Sequence, residues 1–198
     1  MKFISFKALA PVFIAAVAMF SIVTSTLAQE PSQVKFATSS GDFVVEVYPD
    51  KAPKTVANFL QYVTDKHYDG TIFHRVIENF MIQGGGFDAK FNEKKTRPPV
   101  IHEGRESIAK GLKNGVGMLA MARTNDPQSA TAQFFINVKD NTFLDPTAQQ
   151  YGYTVFGKVV SGMDVIQKIK ATPTGAGGPF PSDVPKTPLL INSATLVK

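Results

Sequence analysis

The feature that most constrains this chain is the way its apolar residues are divided into many short strand-like segments and only two helical stripes. Val34 to Thr38 and Phe43 to Tyr48 read as strands joined by the turn Ser39-Ser40-Gly41-Asp42, with Phe43, Val45 and Val47 alternating onto one face. Two further short strands fall between Tyr68 and Gly86, entered through Asp69-Gly70. Gly117 to Ala122, Gln133 to Val138, Val155 to Val160 and Leu189 to Val197 follow. The first helical stripe is Val56, Phe59, Leu60 and Val63, spaced i, i+3, i+4 and i+7 behind Pro53, whose missing amide donor costs nothing in a first turn. The second covers Met163 to Lys170, with Met163, Ile166 and Ile169 inward. Residues 87–114 show little periodicity and read as a long ordered loop, and 172–188 as an irregular connection. Without βαβ alternation, such a pattern predicts a mainly β fold: an antiparallel sheet closed into a barrel, with helices plugging its ends.

The first 28 residues stand apart. Lys2 and Lys7 precede a nearly unbroken apolar run of 16 residues, Ala8 to Val23, and Thr26-Leu27-Ala28 supplies small residues before Gln29. This is the layout of a secretory signal peptide, cut after Ala28. An uncleaved anchor is the alternative, although the run is shorter than the roughly 20 residues a spanning helix needs. Residues 29–198 are then expected to form one domain, large enough to bury a substantial core. Cysteine is absent, which excludes disulfides, thiolate metal sites, thiol nucleophiles and a lipid-anchored cysteine. The formal charge of +5 includes the two lysines of the leader, so the rest carries a mild excess. Its basic cluster, Lys90, Lys94, Lys95 and Arg97 beside Pro98-Pro99, reads as a solvated loop and not as a nucleic-acid surface.

Function is signalled by Arg75, set among apolar residues in Thr71-Ile72-Phe73-His74-Arg75-Val76-Ile77. A guanidinium stays charged and carries five donors in a rigid fork, so such a position calls for a carboxylate, a carbonyl or a ligand. Asp69 and Glu78 are near enough in sequence to pair with it; a ligand-facing role is the alternative.

Three ordered blocks carry a family resemblance: Phe73-His74-Arg75-Val76-Ile77 with Phe80-Met81-Ile82-Gln83-Gly84-Gly85; Met121-Ala122-Arg123-Thr124 with Ala132-Gln133-Phe134-Phe135-Ile136-Asn137-Val138; and Phe143-Leu144-Asp145 with Tyr153 to Val160. Over about residues 33–197 the chain resembles the cyclophilins, the peptidyl-prolyl cis/trans isomerases. The resemblance implies a closed eight-stranded antiparallel barrel capped by two α-helices. It also implies a groove lined by Phe73, Arg75, Phe80, Met81, Gln83, Ala122, Arg123, Gln133, Phe135, Phe143, Leu144 and Tyr153. Arg75 and Gln83 would be catalytic and the others would bind substrate. Proline-containing segments of folding proteins would be the partners, with no cofactor, no metal, no nucleic acid and no stable membrane association once the leader is removed. A periplasmic monomer is expected.

The residue types suit that chemistry. Rotation about an X-Pro bond faces a barrier of roughly 18–20 kcal/mol from amide resonance. A catalyst must favour the twisted amide over the planar one. Phe73, Met81, Phe135 and Leu144 have the character to wall a proline ring, though apolar strand residues are equally suited to a plain core. Arg75 can donate to the prolyl nitrogen, a real acceptor only when twisted, and Gln83 can orient the guanidinium.

Three positions depart from the best-known cyclophilin pattern, in the manner of exported bacterial members. Phe143 stands where many have tryptophan, and with no tryptophan in the chain, cyclosporin binding is expected to be weak. Tyr153 stands in place of a histidine. Arg123 replaces a smaller polar residue. His74 is read as structural packing, directed away from Arg75 by strand alternation. His67, His74 and His102 lack zinc spacing. A chaperone that grips proline segments without catalysis, and a barrel that holds a small ligand, are the rival readings.

Overall fold

The computed structural model describes residues 31–197 together with Met1 and Lys2; the leader and its cut after Ala28 lie outside the described residues. Eight strands close into an antiparallel barrel. In chain order the first are β1 (Ser32–Thr38), β2 (Gly41–Val47), β3 (Thr71–Ile77) and β4 (Met81–Asp88). They are followed by β5 (Met118–Met121), β6 (Phe134–Asn137), β7 (Val155–Ser161) and, last in the chain, β10 (Leu190–Leu196). Around the barrel the order is β1-β10-β3-β4-β6-β5-β7-β2. The expected strands are therefore present.

The expected helices are α1 (Pro53–Thr64) and α3 (Met163–Lys170). Both close the interior, which is packed solid with rings. Phe36 and Phe43 stack at 4.9 Å, and Phe59 of α1 lies 5.1 Å from Phe156 and 5.5 Å from Tyr68. Such filling is what a small barrel requires, and it leaves the interior to side chains instead of a ligand. α1 has no cap of its own: Glu103, 48 residues downstream of Thr55, accepts hydrogen bonds from the Lys54 and Thr55 amides at 3.1 and 2.8 Å. This buried carboxylate satisfies two amides that no helical partner can reach and meets the positive end of the helix dipole.

Two segments differ from the sequence reading. Within the supposed loop 87–114 lies a third helix, α2 (Gly104–Ala109), only six residues long and too short to show a period. The supposed irregular stretch 172–188 contains a hairpin, β8 (Thr174–Gly177) and β9 (Phe180–Pro185), in a sheet separate from the barrel. Glycine and proline obscure its alternation. Among the described residues no helix is long and apolar enough to cross a membrane.

Candidate active site

A second apolar cluster sits on the outside of the barrel wall. Met81, Ala120, Phe135 and Val155 are buried there with Leu112, flanked by the partly buried Phe80, Ala122, Leu144 and Tyr153. Strand alternation produces it: Phe134 and Ile136 belong to the interior cluster, whereas Phe135 between them belongs to the outer one. Above this floor opens a cleft of about 290 Å³, lined by Arg75, Phe80, Met81, Gln83, Ala122, Arg123, Phe135, Leu144 and Tyr153. None of these nine is acidic.

Phe73 is not among them, which corrects its assignment to the groove. It is 1% exposed, inside the barrel, with its ring 6.5 Å from Phe43 and edge-on to Phe134 at 6.3 Å. Residues i and i+2 of a regular strand share a face, so Phe73 and Arg75 should point the same way. The β3–β4 register shifts between them, however, with Phe73 opposite Gly84 and Arg75 opposite Gln83. This bulge leaves Phe73 inside and swings Arg75 out to the cleft. Gly84 accommodates the arrangement, since a Cβ there would lie 2.8 Å from the Phe73 ring.

Arg75 is half-exposed. Among the described residues its guanidinium makes no hydrogen bond, and the acid near it is Asp183 of β9, whose Oδ2 lies 3.8 Å from its Nε. Neither acid suggested by sequence proximity pairs with it; Asp69 instead accepts from the Ala194 amide at 3.1 Å. Gln83 donates through Nε2 to Oε1 of Gln133 at 3.0 Å. Gln133 lies in an adjoining polar hollow of about 380 Å³ with Thr124, Ser129 and Thr131. Gly86 makes room for it, because a Cβ there would come within 2.5 Å of the Gln133 amide.

Arg123 reaches the cleft, yet its donors are committed elsewhere. Nε and Nη2 donate to the Gly152 carbonyl at 3.1 and 2.8 Å, and Nη1 to the Thr124 carbonyl at 2.8 Å. Its guanidinium also lies 4.6 Å from the Tyr153 ring, which packs edge-on against Phe135 at 5.4 Å. Arg123 therefore ties the loop carrying Tyr153 to the one that follows β5. Phe143 lies at the cleft's edge, 65% exposed and stacked on Phe80 at 5.7 Å, in a shallow hollow of about 500 Å³ that includes Leu144 and Tyr151.

A buried polar network under this edge was not foreseen. Asp145 accepts from the amide and side chain of Asn114 at 2.7 and 2.9 Å, Asn137 donates to Asn114, and Asn141 donates to Asn137 and to the Phe80 carbonyl at 2.7 and 2.8 Å. It fixes both aromatic turns of the rim. Partners this far apart in sequence leave no local pattern.

His74 is buried beneath the hairpin, 4.8 Å from Phe87 and stacked 5.4 Å from Phe180. Its Nδ1 has no partner. Burial, and secondarily the charge of Arg75, push its imidazole down to about 4, partly offset by the nearby Ile72 backbone. It is neutral packing, as the sequence indicated, but strand alternation does not direct it away from Arg75: the β3 bulge leaves both under the β9 side of the strand, His74 against Phe180 and Arg75 near Asp183. His67 and His102 are likewise shifted downward, chiefly by burial. Among the described residues no cluster of three His, Asp or Glu is placed to hold a metal.

The model of the cyclophilin type peptidyl-prolyl cis-trans isomerase family matches residues 33–196. The chain belongs to that family. This cyclophilin is 52% identical over 166 residues to peptidyl-prolyl cis-trans isomerase B of Escherichia coli, covering 82% of this chain and 98% of that protein. To the peptidyl-prolyl cis-trans isomerase of Acinetobacter baylyi it is 46% identical over 181 residues, 91% and 94% of the two chains. A crystal structure of a cyclophilin type isomerase from Cryptosporidium parvum shares the fold, with a TM-score of 0.66 at 24% identity over 85% of this cyclophilin and 99% of that chain. The cyclophilin is thus a peptidyl-prolyl cis-trans isomerase.

Proposed function

We propose that this isomerase acts on proline-containing segments of exported proteins as they fold in the periplasm, and that Arg75 stabilises the twisted amide. A related structure from Cryptosporidium parvum was determined in the presence of the dipeptide Ala-Pro, which fits a prolyl ligand. Here the floor of Met81, Phe135 and Leu144 offers an apolar seat for the ring. Seating the ring while the acyl side turns lowers the barrier only if something favours the turned state. As the bond twists, the nitrogen lone pair leaves resonance and becomes an acceptor, so a guanidinium N–H aimed at it binds the transition state more strongly than the ground state. No covalent step or cofactor is involved.

The observation that carries the assignment is the contrast between the cleft's two arginines. Arg123 has its fork occupied by backbone carbonyls, whereas Arg75 reaches the same cleft with its donors free of hydrogen bonds among the described residues. Gln83, held by Gln133, is placed opposite Arg75 in the ladder and supports the bound backbone. A passive peptide gripper has no use for an uncommitted cation over an apolar floor. The apolar run 8–23 with its preceding lysines and following small residues supports export of residues 29–198.

The test is a protease-coupled assay on a short X-Pro peptide, with residues 29–198 in wild-type form beside Arg75→Ala. Loss of one such donor is expected to lower kcat/KM by about a hundredfold or more. An Arg75→Ala enzyme as fast as wild type would remove Arg75 from the mechanism. For export, N-terminal sequencing of protein recovered from the periplasm should begin at Gln29; recovery of the intact leader in the cytoplasm would contradict it.

A further inference from the structure

We propose that Asp183 is a positioning residue for this isomerase: its carboxylate, 3.8 Å from Arg75 Nε, holds the guanidinium over the cleft. The inference rests on the reading that Arg75 acts on the substrate. A half-exposed arginine on a bulged strand has four side-chain torsions free to swing it into solvent. Something must oppose that. Gln83 does not do so: its amide oxygen, the atom of that side chain able to accept from a guanidinium, makes no hydrogen bond to Arg75 among the described residues, while its Nε2 is engaged by Gln133. Asp69 is occupied on β10. Asp183 approaches the stem-side nitrogen, so restraint there leaves the terminal Nη groups for the substrate.

The hairpin that delivers this acid is built to do so. Phe180 of β9 clamps the outer face of β3 by stacking on His74, the residue next to Arg75, and packs edge-on against Phe87 at 5.2 Å. Val184 and Pro185 are buried, and the Lys186 amide donates to the Pro173 carbonyl at 2.9 Å, tying the strand ends together. At Asp183 itself the backbone turns left-handed, with φ of 65°. Asparagine and aspartate tolerate that conformation better than other side-chain-bearing residues, so the kink aims a carboxylate at Arg75 where most residues would resist it.

The clean variant is Asp183→Asn, which keeps the shape and the left-handed turn and removes only the charge; Asp183→Gly keeps the turn and removes the side chain. With an uncharged X-Pro peptide, both should lower kcat by about two- to fivefold, the scale of a solvent-exposed ion pair, while KM and the thermal midpoint hold. Raising the salt concentration should bring the wild type down toward the variants and leave the variants nearly flat. Unchanged kcat in Asp183→Asn would overturn the proposal. A loss confined to Asp183→Gly, or one with the wild-type salt response or a lowered thermal midpoint, would assign a structural role instead. An Arg75→Ala control as fast as wild type would overturn the Arg75 reading, and this one with it.

Discussion

Replacing Arg123 with alanine separates a clamp from a catalyst. The guanidinium donates twice to the Gly152 carbonyl and once, at good length, to the Thr124 carbonyl, and it lies over the Tyr153 ring. A charged hydrogen bond is worth about 1.5–3 kcal/mol when buried, and partial exposure brings the set nearer the lower bound. A cation–π contact in such a place adds about 0.5–1 kcal/mol. The total is about 2 kcal/mol, which in a domain of this size lowers Tm by about 4–8 °C. If binding had to restore all of that order in the Tyr153 loop, KM would rise by up to about thirtyfold. Because Arg123 does not act on the reacting amide, kcat should stay within about threefold of wild type, well short of the effect of losing an electrostatic catalyst. Arg123→Lys keeps the charge but not the fork and should recover little. Calorimetry and steady-state kinetics on the three proteins decide the matter. Unchanged Tm and KM in Arg123→Ala would refute the clamp, and a collapse of kcat with KM intact would make Arg123 a catalytic residue.

Gly86→Ala would push the Gln133 side chain aside and release Gln83; a lost hydrogen bond of about 1 kcal/mol predicts roughly fivefold lower kcat/KM and a Tm lower by about 2–4 °C, checked by assay and calorimetry. His74 is neutral in the folded state down to about 4 against 6.5 for a free imidazole, so the unfolded chain binds a proton the native state refuses. Its contribution is therefore present above pH 6.5 and is lost as pH falls toward 4, by about 3 kcal/mol at most; urea titrations at pH 7 and 4.5 should show a smaller loss in His74→Phe than in wild type. Phe73→Ala empties a core position and should cost about 3–5 kcal/mol in urea unfolding. Phe135→Ala, on the cleft floor, should chiefly raise KM in the same peptide assay, and the reverse ranking would contradict the two faces assigned to these rings.

Where a residue's fate is decided by periodicity, the sequence was readable. The eight barrel strands, the α1 stripe of Val56, Phe59 and Val63, and α3 all follow from spacing, because burial on one side is what produces the spacing. Of the groove residues, Arg75, Met81, Gln83, Phe135 and Tyr153 converge on the cleft as the motif order implied. Phe73 failed because an extra residue in β3 breaks the rule of two, and nothing local distinguishes a bulged strand from a straight one. Glu103 on Thr55 of α1, Asp145 on Asn114 and Arg123 on the Gly152 carbonyl join residues 48, 31 and 29 positions apart, so no short window of sequence contains both partners. The β8–β9 hairpin was hidden by Thr174-Gly-Ala-Gly, which offers no apolar alternation to read.

The barrel wall is a partition with two tenants. Phe134 and Ile136 look inward and secure the architecture, while Phe135 looks outward onto the cleft, on the same four-residue strand. Mutational drift on the outer positions can therefore retune which peptides are accepted without loosening the stack of rings behind them. A directed-evolution campaign confined to that exterior would explore new preferences on an unaltered chassis.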